Sequence, residues 1–546
     1  MKNHESLAPD ELYQSCNFGE LQFESTADIK PLEQLLGQER ALEAIEFSVD
    51  IEQGGFNLFV LGPSGLGKHR LVKELLDQRA VGETLPYDWC YVNNFTNPQQ
   101  PLILKLDAGM AQQLRKDMEQ LVEDLLTSLP ASFESEEYRT RRQEIDDKFK
   151  KRQQQVFEQL DRDAKEQGIA VLRTPAGYTL APIIKEKVVG PEEYNKLPEE
   201  EQQRYERIIE EFQLKLRNLI QEIPLRQREH HQEVKALKKE ISRMTVDQLI
   251  GWLEQRYKDH PRVAAYISSV KEDVIENVQN FLRDDENVDP GDAKSLAAEF
   301  RQYGINVLVD NSGAKGAPVI FEDNPTHQNL IGRIEHVAQM GTLLTDFSLI
   351  KPGALHRANG GYLILDARKV LTHPFAWESL KRALSSGEIK IESLEQMLSL
   401  VSTRSLEPEP TPIDVKVVLT GEPLLYYLLK AYDPEFSLLF KVSADFSDDT
   451  DRSPENTLLY ARLISMLQRR EKIRPLNKAA VARVIEQASR MAEDAEKLSL
   501  HVETLGDLLH EANYRAGKDG SDLVRLRDVQ CAIDKSRYRQ ERIRDR

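Results

Sequence analysis

The sequence predicts an α/β fold: a parallel sheet with helices on both faces, interrupted by a long helical coiled-coil arm with a β-hairpin tip and followed by a helical lid. Three observations predict it. Residues 62–68, GPSGLGK, fit G-x-x-x-x-G-K between an apolar run and a helical stretch, the strand–loop–helix setting of a phosphate-binding loop. Most other short apolar runs return only after residue 300, and such runs separated by helices imply strands buried on both faces. The stretch between them is densely charged, with apolar residues three and four apart.

At 546 residues the chain exceeds a single core, and length alone suggests about three or four domains. Hydrophobic residues at 40% and charged residues at 30% suit a soluble protein with long exposed helices. The formal net charge of −18 argues against nucleic acid as a partner, because phosphate contacts need a basic surface. Cys16, Cys90 and Cys531 are widely spaced, so neither a disulfide framework nor a C-x-x-C metal site is expected, and H-E-x-x-H is absent. The N-terminus lacks an apolar signal core and no run approaches the length of a membrane span. The expectation is a cytoplasmic protein without a membrane partner.

The first region, 1–110, is expected to hold an N-terminal segment and the first part of the α/β unit. Leu36, Ala41, Ile45 and Val49 recur at helical spacing before FNLFVLG (56–62), an apolar strand that feeds the glycine loop 62–69. HRLVKELLDQRA then reads as a helix, and DWCYVNNF (88–95) as a second strand. The second region, 111–285, is the arm. Leu114, Met118, Leu121 and Leu125 form one seam; Tyr205, Ile208, Phe212, Leu216, Leu219 and Ile223 form another. Between the seams, 169–189 is β-rich with a Pro-Ala-Gly turn and reads as a hairpin, so one long helix leads out and helix returns. His230 and His231 are read as solvated surface residues rather than metal ligands.

The third region, 286–453, resumes the sheet with INVLVDNS (305–312), GAPVIFEDNP (316–325), YLILD (362–366) and VKVVLTG (415–421). The stretch 377–391 is a helix ending at Gly387, with Trp377 and Leu380 as core anchors. The last region, 454–546, is helical throughout and has the size of a lid; the basic bias from Arg525, Arg527, Arg537 and Arg539 reads as a solvated face.

The chemistry centres on the loop. Gly62, Pro63, Ser64, Gly65, Leu66, Gly67 and Lys68 supply the glycines, backbone N–H groups and cation that hold phosphates, so ATP or ADP is the expected ligand. The next position calls for Ser or Thr, whose hydroxyl holds magnesium, but it is His69. Downstream, GGYLILDARKV ends an apolar strand in Asp366, suited to supporting a metal. The following residue, which in AAA+ enzymes is a glutamate that activates water, is Ala367. Magnesium prefers oxygen donors, and general-base assistance is worth about 10²–10⁴ in rate. The expectation is nucleotide binding with slow hydrolysis or none, and no confident catalytic residue.

The stretch NPTHQNLIGRIEHVAQMGTLLTDFSLIKPGALHRANGGYLILDA (324–367) resembles the AAA+ portion of the Lon-like proteases, in which a segment similar to GALHRANGGYL precedes the Walker B strand. The stretches before the loop and around FKVSADF (440–446) resemble the same family, and the inserted arm is similar to its Lon-related, LonC-type branch. The resemblance runs from about residue 10 to the end and is most specific over 305–446. It implies an AAA+ module that forms a ring, with a hexamer as the expectation, feeding polypeptide to a C-terminal Ser-Lys peptidase domain. It implies that Gly62, Gly65, Gly67 and Lys68 are the phosphate loop, Asp366 the Walker B acid and Thr420 the polar sensor. Met340 and Gly341 would be the substrate-touching pore-loop pair.

Departures accompany the matches. No arginine finger precedes FKVSADF, where Lys441 is a poor substitute for a planar guanidinium, and His501 stands where relatives carry an arginine sensor. His356 and Arg357 lie in the family-like segment, with packing as the plainer role. The chain stops at RYRQERIRDR, about where the peptidase domain would begin, so peptide-bond cleavage is expected on residues or a partner outside it. Two rival readings remain: a nucleotide-free pseudo-ATPase scaffold that gates or recruits substrates, and an active motor in which Glu378 or a partner subunit replaces Ala367. A DNA-binding regulator ranks last.

Overall fold

The computed structural model describes residues 14–16, 22–32, 36–174, 177–184, 187–188, 190, 198–282, 300–339, 342–392 and 406–541. The chain packs as two compact units, Met1–Gln113 with Ile305–Arg546, and Leu114–Gly304.

In the first unit, helix α1 (Glu39–Asp50) buries Ala41 and Ile45 and leads to strand β1 (Leu58–Leu61), every residue of which is buried. The phosphate loop follows, then α2 (Lys68–Ala80). Strands β2 (Asp88–Val92) and β3 (Leu102–Leu106) pair antiparallel.

The second unit begins within α3 (Met110–Glu134), where Leu114, Met118, Leu121 and Leu125 are fully buried. A Ser135 N-cap, accepting from the Tyr138 N–H, restarts the chain as α4 (Glu136–Glu166), so the outward path is two helices rather than one. Strands β4 (Ile169–Thr174) and β5 (Gly177–Ile184) form the expected hairpin, and β6 (Lys187–Val188) extends it to three strands. Pro175 and Ala176 of the predicted turn lie outside the described residues.

The return is one 58-residue helix, α5 (Glu199–Arg256). At 1.5 Å per residue it is about 87 Å long, and its seam buries Phe212 and Leu216 against Leu160, Ala164 and Ile169. His230, expected to be solvated, is half-buried, with 19% of its side chain exposed: its Nε2 lies 2.7 Å from an Asp146 carboxylate oxygen and its ring packs 4.7 Å from Phe149. Among the described residues, no group of three or more His, Cys, Asp or Glu could hold a metal. Helix α6 (Pro261–Glu276) buries Val263, Tyr266, Ile267, Val270 and Val274.

Back in the first unit, β7 (Ile305–Val309) does not continue the main sheet, as its apolar run suggested. It pairs antiparallel with β2, giving a separate sheet of order β3-β2-β7. The main sheet takes β8 (Val319–Glu322) and β9 (Gly361–Asp366), followed by helices α7 (Ala367–Thr372) and α8 (Ala376–Ser386) and strand β10 (Val415–Gly421). Helix α8 stops at Gly387, whose φ of 73° suits glycine. Its Leu380 is fully buried, and Trp377 packs 6.0 Å from Phe440 while donating to Asp433.

Helix α9 (Pro423–Tyr432) leads on to β11 (Val442–Asp445), the fifth strand, which carries most of FKVSADF. The order β11-β1-β10-β9-β8 is parallel throughout. The loop strand β1 is therefore an interior strand, with neighbours on both sides. Helices α10 (Pro454–Arg470), α11 (Lys478–Met491), α12 (Val502–Lys518) and α13 (Leu526–Gln540) form the lid. Their apolar faces share one core with β1, β10, α1 and α2. Among the described residues no helix is long and apolar enough to cross a membrane.

Leu380→Ala is expected to cost about 2–5 kcal/mol, because the fully buried side chain leaves a cavity between α8 and the sheet. A lowered midpoint in urea, followed by circular dichroism, checks it.

Candidate nucleotide site

The loop joins the carboxyl end of β1 to the amino end of α2, so backbone N–H groups and the helix dipole face the same point. Gly65 and Gly67 adopt φ of 91° and 69°, which glycine takes without the strain of a Cβ. The Lys68 ammonium folds back to donate to the carbonyls of Gly62 at 2.7 Å and Pro63 at 3.2 Å. Burial holds Lys68 below the ordinary lysine range, opposed by the carboxylates of Asp366, Glu422 and Glu503. Neither glutamate was legible as a site residue, because only folding brings β10 and the lid to the loop.

His69 does not point away from the site. Its Nδ1 lies 2.7 Å from the Thr420 hydroxyl, and its Nε2 lies 3.6 Å from an Asp366 carboxylate oxygen. Phe321 packs edge-on to the imidazole at 6.2 Å. Burial is the largest influence on His69 and lowers its pKa; Asp366 opposes that, while Lys68 and Lys369 reinforce it. The parallel pairing of β9 with β10 sets Asp366 directly beside Thr420. Thr420 is fully buried and also donates to the Leu365 carbonyl at 3.1 Å. Asp366 caps α7, one oxygen accepting from the Lys369 N–H at 3.0 Å.

Ala367 is buried among Phe59, Leu419 and their neighbours, and its methyl lies 3.2 Å from where a Cβ on Gly421 would sit. Glu378, weighed as its replacement, ion-pairs with Lys381 at 3.1 Å, and Lys381 also meets Asp433 and Glu435. Lys441 stacks on Phe56 at 4.7 Å, within its own chain. Among the other family-like residues, His356 is fully buried, burial pushing its pKa down to about 3, and Arg357 ion-pairs with Glu322 at 2.8 Å.

The lid meets the loop. His501 precedes α12, and the Glu503 N–H donates to the Gly65 carbonyl at 3.0 Å. Beside this contact lies a cavity of about 450 Å³ whose walls are largely apolar, with Leu36, Leu66, Phe446 and Met466, and whose rim carries Arg70, Glu74, Arg470, Glu471 and Glu503. A largely apolar cavity with a few polar groups next to a glycine loop has the chemistry of a nucleotide-base site. Ser64 is exposed on the loop, whereas Leu66 is buried against the lid core. Met340 and Gly341 lie outside the described residues. The residues that flank them, Val337–Gln339 and Thr342–Leu344, pair as an antiparallel hairpin with Val337, Leu343 and Leu344 exposed.

Two possible occupants separate on this geometry. The glycines, the loop N–H groups, Lys68 and the apolar cavity fit a nucleotide. The residues do not fit magnesium, because a nitrogen ligand stands where a hydroxyl is needed and magnesium takes oxygens at about 2.0–2.1 Å.

Ala367→Glu is expected to cost about 1–3 kcal/mol through overpacking, since Ala367 is 1% exposed, rather than restore hydrolysis. Thermal unfolding alongside phosphate release checks both halves.

Comparisons with known proteins agree with this architecture. Family models match residues 315–447 as "LonB-like, AAA domain", residues 475–539 as "Archaeal LonB, AAA+ ATPase LID domain", and residues 88–121 as "Lon-like LonC helical domain". An archaeal Lon protease of Archaeoglobus fulgidus is 30% identical over 253 residues, covering 44% of this chain and 38% of that protein. The archaeal Lon protease of Thermococcus kodakarensis is 25% identical over 249 residues, again covering 44% and 38%. The chain thus spans well under half the length of these relatives. A solved RuvB mutant from Thermotoga maritima is similar at 12% identity and a TM-score of 0.22, covering 34% of this chain and 47% of that one, too slight a likeness to carry an argument. From the LonB-like AAA domain through the archaeal-LonB lid, this chain carries the AAA+ module of the Lon-like proteins.

Proposed function

We propose that this module binds an adenine nucleotide at 62–69, turns it over slowly or not at all, and works on protein substrates as part of a ring. The observation that carries the reading is the contrast within one site. Lys68 and the loop glycines keep the means of holding phosphates, while His69 lies against Thr420 and Asp366 and Ala367 offers no base. In this reading the loop N–H groups and Lys68 hold the phosphates and the apolar cavity holds the base. A bound nucleotide would then act on the contact between the loop and the lid, through Gly65 and Glu503.

Protein as substrate rests on the relatives, which are named Lon proteases, and on the exposed apolar hairpin flanking Met340 and Gly341. A ring, and a peptidase domain or partner for cleavage, come to this chain from the Lon-like resemblance. The nucleotide-free scaffold gains support from Lys68, which is already bonded to loop carbonyls and surrounded by Asp366, Glu422 and Glu503. The active motor loses support at Glu378, whose carboxylate is paired with Lys381.

Calorimetric titration with ATP, in magnesium and again in EDTA, tests the proposal. The expected result is saturable binding of similar strength in both. Lys68→Ala is expected to weaken it roughly ten- to a hundredfold, the worth of a hydrogen bond to a charged group. Absence of binding at millimolar ATP favours the scaffold, and binding that requires magnesium favours the motor.

A further inference from the structure

We infer that His69 and Asp366 form a nucleotide-assisted site for a borderline divalent cation, of the manganese, cobalt or zinc kind, in place of magnesium. The inference rests on the nucleotide reading, since a phosphate oxygen completes the coordination. Thr420 has one hydroxyl hydrogen and donates it to the Leu365 carbonyl at 3.1 Å. The Leu365 carbonyl can only accept, whereas His69 Nδ1 can take either role, so we assign the Thr420 hydrogen to the carbonyl and the 2.7 Å contact to His69 Nδ1–H donating. That tautomer leaves Nε2 as a bare lone pair, aimed at an Asp366 carboxylate oxygen 3.6 Å away.

Two acceptors this close repel unless a proton or a metal cation lies between them. The 3.6 Å separation is also too long for a hydrogen bond. Two ligands bound at about 2.1 Å to one ion stand roughly 3.0–3.5 Å apart, close to the observed distance.

The surroundings supply what a ligated imidazole needs. Thr420 fixes the tautomer from behind, the Lys369 N–H holds the other Asp366 oxygen, and Phe321 limits the ring's rotation. The site is reachable, with the His69 side chain 40% exposed and that of Asp366 26% exposed. Charge at the site is mixed: Asp366, Glu422 and Glu503 act on Lys68, so a polyphosphate entering the site meets three carboxylates and gains from an accompanying cation, while Lys68 and Lys369 act on His69 and offset part of that gain. Imidazole suits zinc, cobalt and manganese better than magnesium, so the residue that spoils a magnesium site selects a different ion.

The test titrates the full chain with a non-hydrolysable ATP analogue in EDTA, magnesium, manganese and cobalt, and records the visible spectrum of cobalt. The expected result is binding roughly tenfold or more tighter in manganese or cobalt than in magnesium or EDTA. His69→Thr should reverse that order, and Thr420→Val should weaken the cobalt effect about ten- to a hundredfold. A cobalt band lost in His69→Ala supports the site. Equal binding in every cation, or a cobalt preference that survives His69→Ala, overturns it. If the analogue binds in no condition, the nucleotide reading fails. Cobalt alone then decides the ion site: a weak band lost in His69→Ala keeps the two-residue site, and its absence overturns that too.

Discussion

The site depends on one pairing register. Parallel β9 and β10 set Asp366 beside Thr420, and β10 also pairs with β1, the strand that launches the phosphate loop. A one-residue slip would turn each side chain to the opposite face, sending Thr420 away from His69 and Asp366 away from the loop. The register is held by burial: Leu363, Leu365, Val417 and Leu419 face one core, while Ile364 and Val418 face the other. A sheet covered on both faces has no spare register, so the chemistry inherits its geometry from packing.

Electrostatics then divides the functions of a phosphate loop. Holding phosphates needs N–H groups and a cation, and these remain in Gly65, Gly67 and Lys68. Turning nucleotide over needs an oxygen-liganded metal and a base, and the two positions that the resemblance assigns to them hold His69 and Ala367. Ala367 fits beneath Gly421, and His69 finds a hydroxyl and a carboxylate. Each residue has partners of its own. The first turn of the lid helix α12 bonds directly to the loop at Gly65.

Much of this was legible in the sequence because it is local. A glycine loop between an apolar run and a helix, a helix stopped at Gly387, and seams of apolar residues in a charged arm depend on residues close in the chain. Choice of partner was not legible. INVLV reads like any buried strand, and nothing nearby says that it pairs antiparallel with DWCYV rather than joining the main sheet. His230 looks solvated until α4 places Asp146 and Phe149 against it. The same limit hid the contact of His69 with Thr420, separated by 351 positions, and the approach of Glu422 and Glu503 to Lys68.

The central claim is that this loop binds nucleotide without an effective means of cleaving it. Single-turnover phosphate release, with protein in excess over radiolabelled ATP and magnesium present, tests it most directly. The account predicts bound ATP that persists with phosphate release near the uncatalysed background. Rapid release, abolished in a chain lacking the Lys68 ammonium, would contradict it and show that another residue performs the work expected at Ala367.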